Sequence, residues 1–346
     1  VNRVLFVTNG HGEAAIASRI ASEVRRLGAM QTEHFALVGE GFVEAGFPDV
    51  GPQRSMPSGG LVAMGNVRAF GRDLATGWAR LFIDQLRFLR AARAAYGLVV
   101  AVGDTYGCAL SRRVGRPLIF VGTAKSVYVA PYGALERRII ASARRIFVRD
   151  EATAVDLRRH GVAAEAPGNV ISDLLASDER YAWPAPVRIA LLPGSRERAY
   201  ADADLLASIA DAVAARIPGT AVALSIAQNL DPARFAPLLA RYPAIVPWRG
   251  PVGGILDGAT IAIGQAGTAN EAAAANGIPV VAFDVAGDRR HGWYRMRQER
   301  LLGAAMLVVP GSPAAATDAV VALLGDEARL ARMRAAGPER MGPPGG

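Results

Sequence analysis

Cysteine and lysine are almost missing from this sequence of 346 residues: Cys108 is the single cysteine and Lys125 the single lysine. One thiol excludes an intrachain disulfide framework and any multi-cysteine metal site, and it suits a cytoplasmic chain. Histidine is also scarce. His11, His34, His160 and His291 show no metal-ligand spacing to one another or to a carboxylate pair, so no metal is expected. No apolar run reaches membrane-spanning length, and the start lacks the basic-then-apolar layout of a signal peptide. Aromatic residues make up 7% and are not interleaved with basic ones, so no nucleic-acid partner is expected. A Gly-x-Ser-x-Gly nucleophile elbow and a Walker lysine loop are both missing.

What is present fits a soluble globular protein of two ordinary domains. Hydrophobic residues make up 51% and charged residues 20%. The net charge is +8, and nearly all the basic charge is arginine, which suits bidentate phosphate contacts and anionic lipid surfaces. Coding bias explains the same composition without function. The start at Val1 and the loop-like Arg340–Gly346 both predict a longer natural chain.

Apolar strand patterns alternate with helical ones, which predicts βαβ units and parallel sheets. Strands are expected at Arg3–Thr8, Glu33–Val38, Leu98–Val102, Pro117–Val121 and Arg145–Arg149. A second set is expected at Val187–Leu192, Ala221–Ile226, Ala244–Val246, Ala259–Ile263, Ile278–Phe283 and Ala305–Val309. The polar stretch Ser177–Pro186 separates the sets, and the boundary falls around Asn169–Pro186. The expected fold class is α/β, with two Rossmann-like domains, 1–170 and 171–346, facing each other across a cleft.

The most informative stretch is Gly264-Gln265-Ala266-Gly267-Thr268-Ala269-Asn270-Glu271, a strand end running into an alanine-rich helix. Glycine admits a ligand close to the backbone, and the helix start offers unpaired N–H groups to a phosphate. Glu271, one turn in, suits two ribose hydroxyls. An ordinary strand–turn–helix reads the same way. Leu191-Leu192-Pro193-Gly194-Ser195-Arg196 also ends a strand; Gly194 and Ser195 can offer N–H groups, and Arg196 can fork onto a phosphate.

In the first half, Asn9-Gly10-His11-Gly12-Glu13 opens the first helix. His11 suits acceptor contact or general-base work, and Glu13 is also a good first-turn residue. Asp104, in Val102-Gly103-Asp104-Thr105-Tyr106-Gly107, is a candidate base toward an acceptor hydroxyl and equally a helix N-cap. Val67–Arg93 reads as a basic helix whose apolar stripe is mostly core, with Leu61–Phe70 as its lipid-facing front. Lys125 needs no function, and Gly168–Asp173 reads as a hinge segment.

These residues together resemble the lipid-A-disaccharide synthase family of glycosyltransferases, and most closely its synthase-related branch. Leu191–Arg196 is similar to that family's Leu-Pro-Gly-Ser-Arg element. Gly267-Thr268-Ala269 with Glu271 is similar to its Gly-Thr-Ala-x-x-Glu element, and Gly168-Asn169 with Asp173 to its hinge. The resemblance implies a type-B glycosyltransferase fold and inverting transfer from a UDP-sugar to a glycolipid acceptor at the inner face of the membrane. It implies that Arg196, Gly267, Thr268 and Glu271 hold the UDP part and that Asp104 is essential. Asn9, His11 and Glu13 stand where the family has Glu, Ser and Asp, and Gly107 replaces its second aspartate. These departures lie in the acceptor half.

The leading expectation is therefore a UDP-sugar-dependent, N-acetylglucosamine-type hexosyltransferase acting on a lipid-linked acceptor, cytoplasmic and peripheral on an anionic membrane. Asp104 and His11 are the catalytic candidates, Gly194, Ser195, Arg196, Gly267, Thr268 and Glu271 hold the donor, and Asn9, Gly10, Gly12 and Glu13 form the acceptor loop. No cofactor is expected, because arginine and the helix dipole supply the charge compensation. The alternatives are a non-hydrolysing UDP-sugar epimerase and a nucleotide-sugar-binding protein without transfer activity.

Overall fold

The computed structural model describes residues 2–28, 30–37, 46–53, 78–174, 177–284, 289–310 and 312–343. The chain forms two compact units, Val1–Pro167 and Gly168–Gly346.

Unit 1 carries strands β1 (Arg3–Thr8), β2 (Gln31–Ala36), β3 (Leu98–Gly103), β4 (Leu118–Gly122), β5 (Arg145–Val148) and β6 (Ala164–Glu165). All pair in parallel, in the order β2-β1-β3-β4-β5-β6. Its helices are α1 (His11–Leu27), α2 (Trp78–Ala91), α3 (Thr105–Ser111), α4 (Ala134–Ile140) and α5 (Glu151–Arg159). The central strands are near-continuous apolar runs because helices cover both sheet faces. Leu5, Val7, Val99, Ala101 and Phe120 are fully buried.

Unit 2 opens with α6 (Val170–Leu174) and carries β7 (Val187–Leu192), β8 (Thr220–Ser225), β9 (Ile245–Trp248), β10 (Ile261–Gly264), β11 (Val280–Asp284) and β12 (Met306–Pro310). The parallel order is β12-β11-β10-β7-β8-β9. Pro247 is tolerated in β9 because that strand lies at an edge. The remaining helices are α7 (Ala199–Arg216), α8 (Ala236–Arg241), α9 (Val252–Leu256), α10 (Thr268–Ala275), α11 (Arg289–Leu302), α12 (Pro313–Leu324) and α13 (Glu327–Met341). Ala203, Leu206, Ala207 and Ala210 of α7 pack with Ile189, Leu191, Val222 and Leu224 in one core.

Strand order reverses between β1 and β3 in unit 1 and between β7 and β10 in unit 2. In open parallel sheets such switch points, at the carboxyl ends of the strands, are where ligands bind. Asn9–Glu13 follows β1 and Gly264–Glu271 runs on from the end of β10, so both segments lie at these points.

Small shifts separate expectation from structure. The second strand runs Gln31–Ala36 rather than Glu33–Val38, because its register follows Arg3–Thr8 from end to end. The two-residue β6 was too short to leave a pattern. In α2, Leu81, Gln85 and Leu89 are buried at four-residue spacing, while Arg80, Arg87 and Arg90 are exposed, so its apolar stripe is core. Leu61–Phe70 lies outside the described residues.

The alanine-rich α10 has a packing cause. Gly337 of α13 approaches it so closely that an added Cβ would lie 2.0 Å from the Ala274 carbonyl oxygen. Beyond that contact, Asn169 donates from its backbone N–H to the Pro343 carbonyl (2.7 Å) and from its side chain to the Met341 carbonyl (2.6 Å).

Candidate functional site

In unit 2 the loops after β7 and β10 meet at the switch point. The backbone N–H groups of Gln265 and Ala266 both donate to the Leu192 carbonyl (3.0 and 3.1 Å). Gly194 has φ +106°, a conformation that favours glycine, and a Cβ there would come within 3.8 Å of the Ala266 Cα. Asn229 fixes the turn by donating to the Ser195 carbonyl (2.8 Å). Arg196 is exposed and forms no ion pair among the described residues.

Gly267 precedes α10 and no side chain caps that helix start. A Cβ on Gly267 would meet nothing within 4 Å, and Gly267 and Thr268 are exposed. The helix start is therefore uncapped and exposed, and a helix start of this kind stabilises an anion through its first N–H groups and the helix dipole. Glu271 follows one turn in, half-buried. Gly194, Ser195, Arg196, Gly267, Thr268 and Glu271 thus lie on two adjoining loops and the helix that follows.

A buried polar network beneath that loop was not found from the sequence. Gln298 of α11 donates to the Ala266 and Gly267 carbonyls (3.1 and 2.9 Å). Asn270 donates to the Gly264 carbonyl and to Gln298 Oε1 (both 3.1 Å). Gln265 donates to the Phe283 carbonyl (3.0 Å) and accepts from Arg295. Burial lowers the Arg295 pKa to about 10, against the opposing pull of Asp202 and Asp284. Gln265 and Asn270 sat inside the strongest motif. Arg295 and Gln298 are spaced i, i+3 on a helix that nothing in the sequence ties to that loop.

In unit 1 the loop after β1 meets the end of β3. Asn9 bridges two carboxyl groups. Its backbone N–H donates to Glu13 Oε2 (2.7 Å), and its side-chain amide donates to Asp104 Oδ2 (2.8 Å). Asp104 Oδ1 accepts from the Gly107 N–H (2.8 Å), so Asp104 is the N-cap of α3. Gly107 stands here at an N-capping donor position. Gly103 has φ +120°, and a Cβ on it would lie 2.1 Å from the Glu13 carboxyl carbon. Only glycine leaves room for Glu13. Burial, and then the Asp104 charge, raise the Glu13 pKa to about 8, with the Asn9 N–H pulling the other way. The same Asp104 charge adds to burial in raising the Tyr106 and Cys108 pKa values to about 12.

Gly10 and Gly12 leave open space, with nothing within 4 Å of an added Cβ. His11 is the first residue of α1, and its side chain lies outside the described part, as does that of His291. His34 is buried, bonded to Thr8 (2.9 Å) and to Asp49. His160 bonds the Asp156 carbonyl at the end of α5 (2.8 Å). Lys125 pairs with Glu136 (2.6 Å). Among the described residues no group of three or more His, Cys, Asp or Glu is placed to hold a metal ion, and no helix is long and apolar enough to cross a membrane.

The whole chain has the two-Rossmann-domain fold of type-B glycosyltransferases and their structural relatives. A putative UDP-N-acetylglucosamine 2-epimerase from Listeria monocytogenes superposes with a TM-score of 0.62 at 12% identity, covering 98% of this chain and 92% of that one. MurG of Acinetobacter baumannii gives 0.60 at 15% identity, with 99% and 96% covered. The calicheamicin glycosyltransferase CalG4 gives 0.61 at 18% identity, with 99% and 95% covered. No family model matches the chain, and no curated protein matches it.

Proposed function

We propose that the protein is an inverting glycosyltransferase that moves an N-acetylglucosamine-type sugar from a UDP-sugar to a lipid-linked or glycolipid hydroxyl. The observation that carries this reading is the open helix start at Gly267 beside the Gly194–Arg196 turn, at the switch point of the second sheet. The diphosphate rests on the first N–H groups of α10, Arg196 forks onto it, and Glu271 accepts from the ribose hydroxyls. As the sugar bond breaks, negative charge grows on the departing diphosphate. The helix start and Arg196 stabilise it, so the step needs no metal. A carboxylate of unit 1 receives the acceptor proton, a role for which the sequence offers Asp104 as a candidate.

The similarity of Leu191–Arg196 and Gly267–Glu271 to the lipid-A-disaccharide synthase elements supports the donor class. The net charge of +8 supports work at an anionic membrane surface on its cytoplasmic side. Isothermal titration with UDP tests the donor site. Arg196→Ala is expected to weaken binding roughly ten- to a hundredfold, the worth of one charge-assisted hydrogen bond. Equal affinity in the variant refutes the phosphate role.

A second reading, a UDP-sugar epimerase, is favoured by one observation. Unit 1 holds two adjoining carboxyl groups, and Glu13 keeps its proton to about pH 8. An acid beside a base suits a reaction that removes and returns protons on the sugar itself. Incubation with UDP-N-acetylglucosamine and no acceptor tests this reading: a changed sugar configuration supports epimerisation, and an unchanged donor refutes it.

A further inference from the structure

Asp104 is the carboxylate that the sequence puts forward as base, but both of its oxygens are engaged. Oδ1 caps α3 through the Gly107 N–H, and Oδ2 accepts from the Asn9 amide. Both oxygens are thus already committed to N–H donors of the fold itself. Glu13 is placed differently. Its Oε2 accepts from the Asn9 backbone, and its Oε1 has no hydrogen-bond partner among the described residues. The carboxyl is packed over Gly103, where no other residue leaves room for it. Beside it the Asn9 Oδ1 atom, and on the α3 side the Thr105 Oγ1 atom, are buried without a hydrogen-bond partner among the described residues. These are groups able to bond a hydroxylated ligand.

From this arrangement we propose that Glu13 is the carboxylate of unit 1 that takes the acceptor proton, with Asp104 as the residue that positions it. The inference rests on the sugar-transfer reading above. In the step, the acceptor O–H gives its proton to Glu13 Oε1 while its oxygen forms a bond to the sugar anomeric carbon. The bond from that carbon to the diphosphate oxygen breaks, and its electron pair leaves on UDP. Base strength supports the assignment. Burial and the neighbouring Asp104 charge hold Glu13 at about 8, close to working pH, where a general base is most effective. Asp104 is the charged group that faces Glu13 among the described residues; Asn9 faces it from the loop and Gly103 from β3.

The test uses the full chain with UDP-N-acetylglucosamine and a total lipid extract, following UDP release across pH. Wild-type rate is expected to rise to a plateau above about pH 8. Glu13→Gln is expected to lower it on the order of 10²–10⁴-fold, with UDP affinity by calorimetry and melting temperature at pH 7 showing that the protein is folded. Asp104→Asn, which keeps a capping oxygen but turns an amide toward Asn9, is expected to lower turnover less than Glu13→Gln does and to shift the rising limb to lower pH. Carbon-13 NMR of labelled glutamate gives a readout without turnover: one carboxyl titrating near 8 in the wild type, missing in Glu13→Gln and moved down in Asp104→Asn. UDP release that survives Glu13→Gln, or loss confined to Asp104→Asn, overturns this inference and leaves the transfer reading standing. A Glu13 carboxyl titrating in the ordinary range does the same. No UDP release by the wild type under any of these conditions overturns both.

Discussion

The Glu13 carboxyl occupies the space in which any side chain on Gly103 would have to begin. One residue lies in the first turn of α1 and the other ends β3, and the fit sets both the position of the acid and its proton affinity.

Gly103→Ala is therefore expected to displace Glu13 and to strain a backbone held at φ +120°. The loss of stability should be on the order of 1–3 kcal/mol, measured by urea unfolding. UDP affinity should stay at the wild-type value, because the proposed donor loops lie in the other unit. A variant as stable as the wild type with Glu13 still titrating high would contradict the packing argument.

Stability should fall as pH rises. An ordinary glutamate has a pKa of 4.5, whereas folded Glu13 holds its proton to about 8. Between those values the folded protein keeps a proton that the unfolded chain has lost, so alkali favours unfolding until the fall is complete above about 8. Glu13→Gln should flatten that slope and exceed wild-type stability at high pH by on the order of a few kcal/mol. Urea melts of both proteins across this range read the difference.

Arg295 tests the network under the loop after β10, the proposed donor site. Arg295→Met keeps an apolar stem but leaves the buried Gln265 Oε1 without its donor. The expected cost is about 1–3 kcal/mol, together with weaker UDP binding and no change in the titration of Glu13. Unaltered stability would show that the loop does not need this support.

Gly337→Ala should push α13 off α10, because the new Cβ would meet the Ala274 carbonyl oxygen at 2.0 Å. Overpacking of this kind costs about 1–3 kcal/mol. Thermal unfolding and UDP calorimetry should both register it, since α10 carries the proposed phosphate site at its start.

The sheets were legible because their strands are apolar runs punctuated by glycine, and a strand buried on both faces needs no alternation to be seen. Asn9, Glu13 and Asp104 were each singled out from the sequence, but their joining was not. Asn9 and Asp104 are 95 positions apart, and the bond between them arises because β1 and β3 are neighbours in the sheet. Local pattern left Asp104 open between base and cap, and the Gly107 N–H shows that it caps. Arg295 and Gln298 escaped notice because a polar residue on a helix reads as a solvated face until tertiary packing buries it.

Asn169 draws residues 341–343 onto the first residues of the same unit. The second unit is thus stitched head to tail, with Asn169 and residues 341–343 neighbours in space. A protease cut or a short deletion at residues 341–343 would undo that seam first, loosening α13 and with it the backing of α10, long before any damage reached the strands.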